Sequence, residues 1–359
     1  MRIGIFDPYL DTLGGGEKYM LTAASFLSKE NDVSVFWDKD ILSEASERFN
    51  LDLSKVKLKR NIFDRKVSLA QKLIETNKYD AIFYLSDGSI PITASSLYIH
   101  FQFPVEWVNG KSLITKQKIR RVKKFICNSN FTKEFIDKKF NVRSIVLYPP
   151  TYLTKEFPKP NLSSKKNHIL NVGRLTKNES GEYFKKQDVL IDAFKKLSKK
   201  IDKTWELVLA VSFIEKDKEL LNELNKMVKG YPIKIYNNLS FEKLTRLYQE
   251  SKIYWHASGF GEDLEKNPEK AEHFGITTVE AMTNGLVPVV INAGGQKEIV
   301  DNKKNGFVWN SEEELVKYTL NLIDDSLLLT KLSNAAIEKS HVFSADEFNK
   351  RLIEIFKNE

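Results

Sequence analysis

Hydrophobic positions along the chain fall into two alternating patterns. Short continuous apolar runs are followed by longer stretches in which apolar residues recur every three to four positions, the rhythm of βα units that build parallel sheets. A first series of runs lies at Ile3 to Phe6, Val33 to Trp37, Ala81 to Leu85, Leu97 to Ile99, Phe125 to Asn128 and Ile145 to Leu147. It stops at Tyr148-Pro149-Pro150. Residues 151 to 167 mix proline, serine and lysine without period and read as a linker. A second series follows at Ile169 to Val172, Leu207 to Val211, Ile233 to Tyr236, Ile253 to Trp255, Val287 to Ile291 and Phe307 to Trp309. Ser311 with Glu314, and Ser344 with Glu347, have the spacing of helix capping boxes. Phe348, Leu352, Ile355 and Phe356 form one apolar stripe, so the last helix must pack against something. Two open α/β domains facing one another would place a ligand cleft between the carboxyl ends of their strands.

Length agrees with this division, since 359 residues exceed what a single hydrophobic core usually serves. Hydrophobic residues at 42% and aromatics at 11% predict packed domains with no disordered tract. The single cysteine, Cys127, sits in an apolar run and reads as a buried structural thiol in a reducing compartment. The first residues form too short an apolar run for a signal peptide, and no stretch is long enough to span a bilayer, so a cytoplasmic protein is expected. The 56 Lys+Arg outnumber the 48 Asp+Glu, for a net charge of +8, which favours anionic partners. The lysines are dispersed, however, and no nucleic acid is expected. Lys111 to Lys124 interleaves Leu113, Ile114, Ile119 and Val122 with cations. It would either lie on an anionic membrane surface or turn its apolar side to the core, and the second is preferred here.

Candidate chemistry concentrates in Glu272-His-Phe-Gly-Ile-Thr-Thr-Val-Glu280. A helix should begin just after Gly275. Its unpaired amides and positive dipole end suit a diphosphate, and Glu280 in the early turns could face a ribose diol. The plainer reading is a carboxylate that complements the helix dipole. Gly14-Gly-Gly16 follows the first strand and opens a helix, which lets a backbone approach a ligand. His100 closes an apolar run at the expected carboxyl end of a strand. Asp38-Lys-Asp40 has a metal-binding form but follows an early strand. The acidic segment Glu262-Asp-Leu-Glu265 matches no calcium loop and reads as a mobile lip beside Glu272. No metal site is expected.

Glu272 and Glu280 with Phe274-Gly275 between them, followed by Ala281-Met282, Gly285, Pro288-Val289, Gly294-Gly295 and Glu298-Ile-Val300, closely resemble the E-x7-E signature of family-4 retaining glycosyltransferases of GT-B fold. That resemblance implies two Rossmann-like domains facing across a cleft. Residues 1 to 160 would form the acceptor domain and 161 to 340 the donor domain, with the helix at 341 to 359 packing back on the first. It implies that Glu272 lies beside the donor sugar, that Glu280 binds the nucleotide ribose, and that amides after Phe274, through Gly275, Ile276 and Thr277, hold sugar and phosphate. Asn171-Val-Gly-Arg174 is similar to the family's Gly-Arg element, whose arginine and a following lysine neutralise the diphosphate. Those positions fall on Arg174 and Lys185. Lys186 stands where the family has glycine, which leaves the choice between the two lysines open. Gly15 and Gly16 resemble the family's glycine-rich loop, and His100 its first-domain histidine directed at the donor sugar. His100, with Tyr148-Pro-Pro150 and Asn128 to Thr132, looks most like the mannosyltransferase branch.

The implied reaction transfers a hexosyl group from GDP-mannose or a UDP-sugar to a hydroxyl of a glycan, lipid or polysaccharide precursor, without metal or other cofactor. Peripheral contact with an anionic membrane is compatible with it. Two rivals remain, a sugar-nucleotide epimerase or hydrolase of the same fold and a non-catalytic nucleotide-sugar-binding scaffold.

Overall fold

The computed structural model describes residues 1–105, 107–110, 112–151, 162–178 and 180–357. The chain divides into two compact units: Met1–Pro150 with Asp346–Glu359, and Thr151–Ala345.

Unit 1 is built on a parallel sheet of seven strands: β1 (Arg2–Phe6), β2 (Asp32–Phe36), β3 (Lys57–Lys59), β4 (Ala81–Leu85), β5 (Ser96–Phe101), β6 (Val122–Cys127) and β7 (Ile145–Val146). Their order is β3-β2-β1-β4-β5-β6-β7, all pairs parallel. Strands such as β4, buried at every position, read as continuous apolar runs because helices cover both faces. The edge strand β3, Lys-Leu-Lys, has a single apolar residue and therefore no such run in the sequence.

Unit 2 repeats the plan with six parallel strands, β8 (His168–Arg174), β9 (Glu206–Ser212), β10 (Ile233–Asn237), β11 (Ile253–His256), β12 (Val287–Ile291) and β13 (Phe307–Trp309). They are ordered β10-β9-β8-β11-β12-β13. Trp255, Trp309 and Phe194 are fully buried in its core. The direction of strand succession reverses between β1 and β4 in unit 1, and between β8 and β11 in unit 2. Open α/β sheets bind ligands outside the carboxyl ends of the strands at such points.

The terminal helix, Ala345–Lys357, carries its apolar stripe into unit 1. Phe348 meets Tyr19 edge-on at 5.1 Å, Phe356 stacks on Tyr98 at 4.5 Å, and the Lys124 ammonium donates to the Ile355 carbonyl at 2.6 Å. Residues 341 to 345 stay with unit 2, where Thr151 donates through its amide (3.0 Å) and its hydroxyl (2.9 Å) to the Phe343 carbonyl.

Of the expected linker, 152–161 lie outside the described residues, and its end belongs to the fold. Lys165 is buried and its ammonium donates to the carbonyls of Tyr248 (3.2 Å), Ser251 (2.8 Å) and Asn284 (2.8 Å). A lysine in a serine-lysine stretch looks solvated in sequence; here it satisfies carbonyls at and just beyond the ends of two helices. Among the described residues no helix is long and apolar enough to cross a membrane.

Candidate functional site

In unit 2 the helix Ile276–Thr283 starts at Gly275, whose φ of 123° is open to glycine and strained for other residues. A Cβ there would also lie 2.2 Å from Gln296 Nε2. Gln296 braces the turn from below: its Nε2 donates to the Phe274 carbonyl at 3.3 Å and its Oε1 accepts from the Thr278 hydroxyl at 2.8 Å. The Gly295 amide donates to the Glu272 carbonyl at 2.8 Å. The amides of Ile276 and Thr277 stand at the first positions of the helix, where no intrahelical acceptor exists. The Phe274 side chain is not available to a ligand: it is buried and packs against Phe343 at 5.4 Å.

Glu272 is held by two partners. Lys185 Nζ lies 2.5 Å and His256 Nε2 3.2 Å from the same carboxylate oxygen. Burial alone would raise the Glu272 pKa, but the Lys185 ammonium and the His256 ring outweigh it and hold the carboxyl well below its ordinary range. Burial pushes His256 down despite Glu272, and His273 down to about 4, so both rings are neutral near pH 7. Glu280 accepts a hydrogen bond from the buried Tyr248 hydroxyl at 3.1 Å, and the Tyr254 hydroxyl donates to Thr277 Oγ1 at 2.7 Å. Two tyrosines thus set the side chains of the first helical turns. Arg174 ends β8, next to β11 at the sheet's reversal point, and is exposed with no ion pair among the described residues.

The two neighbouring lysines part company. Lys185 goes to Glu272, whereas Lys186, at φ 52°, is buried and pairs with Glu182 at 3.0 Å and Glu262 at 2.7 Å. Glu262 also binds Lys270 at 2.9 Å, and although burial opposes it, these cations draw its pKa down to about 2. The segment expected to be a mobile lip is therefore tied to the body of unit 2 through Glu262. The cause is buried charge pairing, which spacing does not reveal.

Unit 1 corrects the reading of His100. The residue lies within β5 and is 0% exposed, with its ring stacked on Tyr19 at 4.2 Å and Phe83 beside it. Among the described residues neither ring nitrogen makes a hydrogen bond of normal geometry, the Ile126 backbone being the polar group that bears on it. Desolvation drives its pKa down to about 3, the Ile126 backbone only partly offsetting it. β5 runs on to Phe101, and the first residue after it, Gln102, stands two positions beyond His100. Gln102 Nε2 donates to the Gly16 carbonyl at 3.1 Å, and a side chain at Gly16 would meet Gln102 Oε1 at 2.3 Å. Gly15 is exposed at the start of the helix Gly15–Leu27, and the buried Glu17 carboxylate accepts from the Gly14 amide and, at 2.8 Å, from Thr12. Asp7, at the end of β1, is also buried; burial and the nearby Glu17 push its carboxyl up to about 8.

His256, Gln296, Tyr248 and Gln102 were not singled out in sequence. His256 carried a signal, a polar residue ending the buried run Ile-Tyr-Trp-His. The basic segment is corrected as well. Leu113 is 79% and Ile114 70% exposed, and no residue of the helix Leu113–Ile119 is buried, although Ile119 and Val122 pack on the core. The apolar residues at its start face outwards. Lys111 lies outside the described residues. Cys127 is a buried free thiol, pushed up to about 12 by burial.

Residues 154–339 match the family model "Glycosyl transferases group 1". Over 95% of the chain and 96% of the relative, the sequence is 22% identical to an α-1,4-N-acetyl-D-galactosaminyltransferase of Campylobacter jejuni that acts on an undecaprenol-linked GalNAc glycan. It is 24% identical to a GDP-Man:Man(3)GlcNAc(2)-PP-Dol α-1,2-mannosyltransferase of Kluyveromyces lactis, across 84% of the chain and 64% of that enzyme. A sucrose synthase of Melioribacter roseus is 27% identical over 45% of the chain, which spans 22% of that longer enzyme. Among solved structures, HepE of Anabaena in complex with UDP and glucose superposes with a TM-score of 0.70 at 18% identity, each chain covered over 100% of its length. The fold is that of the GT-B glycosyltransferases.

Proposed function

This chain belongs to the glycosyl transferases group 1 family, and on that premise we propose that it moves a hexosyl group from a UDP-sugar or GDP-mannose to a hydroxyl of a glycan, lipid or polysaccharide precursor, with retention at the anomeric carbon. One observation carries this reading: helix-start amides, the Lys185–Glu272 pair, Glu280 and the exposed Arg174 all belong to the carboxyl-end region of unit 2. Such a set recognises a nucleoside diphosphate sugar, with amides and cations for the diphosphate and carboxylates for hydroxyls.

In the proposed step the bond between the anomeric carbon and the diphosphate oxygen breaks, and the acceptor oxygen bonds to that carbon on the same face. The acceptor's proton passes to the departing diphosphate. Arg174 and Lys185 counter the charge that develops on the leaving oxygen. Glu272, preset by Lys185 and His256, orients the sugar, and Glu280 accepts from the ribose. His100 has no contact role in this proposal; its ring supports Tyr19 beneath the glycine-loop helix. The presence of UDP and glucose in the HepE structure and the GDP-Man name of the Kluyveromyces relative support a donor of this class. Because side chains and amides supply the positive charge, activity should survive EDTA.

A thermal-shift panel of UDP-, GDP- and ADP-sugars tests the donor, since a ligand that binds the native state raises its stability. No response from any of them would overturn the reading. A radiolabelled donor separates transfer from its rivals: label on an acceptor supports the transferase, free sugar a hydrolase, an altered nucleotide sugar an epimerase, and binding without turnover a scaffold. Exposed Leu113 and Ile114 beside Lys116 and Lys118 support a further element of the proposal, peripheral contact of unit 1 with an anionic membrane.

A further inference from the structure

The donor reading gives no task to a group of buried charges that lies behind Lys185 and Glu272 in the chain. Glu262 sits on the segment that leaves β11 at His256 and comes back to that histidine at Glu272, 3.2 Å from its ring. The Glu262 side chain is 8% exposed. One of its carboxylate oxygens takes the Lys186 ammonium at 2.7 Å and the other takes the Lys270 ammonium at 2.9 Å. Lys186 is the sequence neighbour of Lys185, and Lys270 stands two residues before Glu272. Lys185 and Glu272 form the 2.5 Å pair of the candidate site. Glu262 therefore joins the same two stretches of chain a second time, through different residues. Among the described residues its ion pairs are with Lys186 and Lys270 and not with Lys185.

Backbone and energetics both argue that this second junction sets geometry rather than adding stability. Lys186 is held at φ 52°, in the left-handed region that glycine enters freely and lysine only at a cost. What lysine supplies there and glycine cannot is the buried ammonium on Glu262 and Glu182. Taking charges out of water costs about what their attraction returns, and the best-attested use of such clusters is to fix one arrangement among several. The arrangement here is tight. A Cβ at Gly173, near the end of β8, would lie 3.1 Å from Lys185 Cγ, so the Lys185 stem crosses a strand position that carries no side chain on its way to Glu272. Without the Glu262 charge, Lys186 would keep Glu182, four residues back on its own stretch of chain, and would lose its tie to the segment that carries Glu272.

We propose that Glu262 is a positioning residue: by holding Lys186 and Lys270 together it sets Lys185 against Glu272. That this pair receives a nucleoside diphosphate sugar rests on the transferase reading; the coupling of Glu262 to Lys185 does not.

Competitive acetylation of the full chain with acetic anhydride, read lysine by lysine by mass spectrometry, tests the coupling without any ligand. In Glu262→Gln, Lys186 and Lys270 lose a partner and react faster for that reason alone. Lys185 keeps its own partner, so a rise in its rate of about 3-fold or more reports a displaced side chain. Lys186→Met should raise the Lys185 rate as well, while Lys186→Arg, which keeps a cation for Glu262, should leave it at the parent's value. Glu272→Gln, which removes the Lys185 partner directly, sets the upper limit. Calorimetric titration with UDP and GDP measures the consequence: the Kd of whichever binds the parent should rise about 10-fold in Glu262→Gln. Unfolding midpoints well above the assay temperature certify the fold of each variant. A parental Lys185 rate in Glu262→Gln would overturn the proposal. So would an equal rise at Lys196 and Lys339, which pair with Glu312 and Asp301 elsewhere in unit 2, because it would mark general loosening. In a parent that binds UDP or GDP, an unchanged Kd in Glu262→Gln would overturn it too. Nucleotide binding beside an unaltered Lys185 rate would leave the donor reading standing and remove this one; a raised Lys185 rate in a chain that binds neither nucleotide would do the reverse.

Discussion

Glu280, Arg174 and Asp7 carry ionisable side chains in different surroundings, and each makes its own prediction. Glu280 is preset by Tyr248, so Glu280→Ala should remove a charge-assisted hydrogen bond to the ribose and weaken donor binding about 10- to 100-fold by titration calorimetry. Arg174 is exposed and has no ion pair among the described residues, and in the proposed reaction it would counter the charge of the leaving group. Arg174→Ala should lower kcat about 100-fold or more with a smaller change in donor affinity; unchanged steady-state kinetics in both variants would remove the site. Asp7 concerns stability. Its carboxyl is raised by burial from the ordinary 3.8 to about 8, so across that window the folded state holds more protons than the unfolded one. Unfolding free energy therefore falls as pH rises from about 4 to 8. Asp7→Asn should be the more stable protein by thermal unfolding, with an advantage that grows through this range and levels above it.

At the scale of elements, residue type and spacing located most strands and a few helix starts, those at the Gly14–Gly16 turn, after Gly275 and at Ser311 among them, because a buried parallel strand has to be an apolar run and a helix start has few solutions. The capping pair at Ser311 shows how far such rules reach. Ser311 Oγ accepts from the Glu314 amide at 3.3 Å as expected, but the Glu314 carboxylate turns to the Asn310 amide at 2.7 Å. The short helix Leu113–Ile119 marks the opposite case. Periodicity cannot say which way an apolar face points, and here Leu113 and Ile114 point to solvent. Replacing both by glutamate should leave the fold intact and abolish co-sedimentation with anionic vesicles. Retained co-sedimentation would remove the membrane contact from the proposal.

For the whole molecule, the terminal helix matters most, since it leaves unit 2 and completes the core of unit 1. Phe356 stacks on Tyr98 and meets Phe83 edge-on at 5.8 Å, so Phe356→Ala should cost about 3–5 kcal/mol. Chemical denaturation should show that loss in unit 1, with the nucleotide response of unit 2 preserved. An equal loss in both units would mean that they unfold as one.

The sequence alone determined two α/β domains, the parallel character of their sheets, the glycine-started helix after Glu272, and the family. Each of these is written in nearest-neighbour spacing or in a contiguous motif. Only the tertiary structure paired Lys185 with Glu272 and Lys186 with Glu182 and Glu262, buried His100, brought Gln102 to Gly16 and His256 to Glu272, and pulled Lys165 out of an apparent linker. Those outcomes depend on which charges and rings meet across tens of residues, and burial changes their energetics by more than any local preference does.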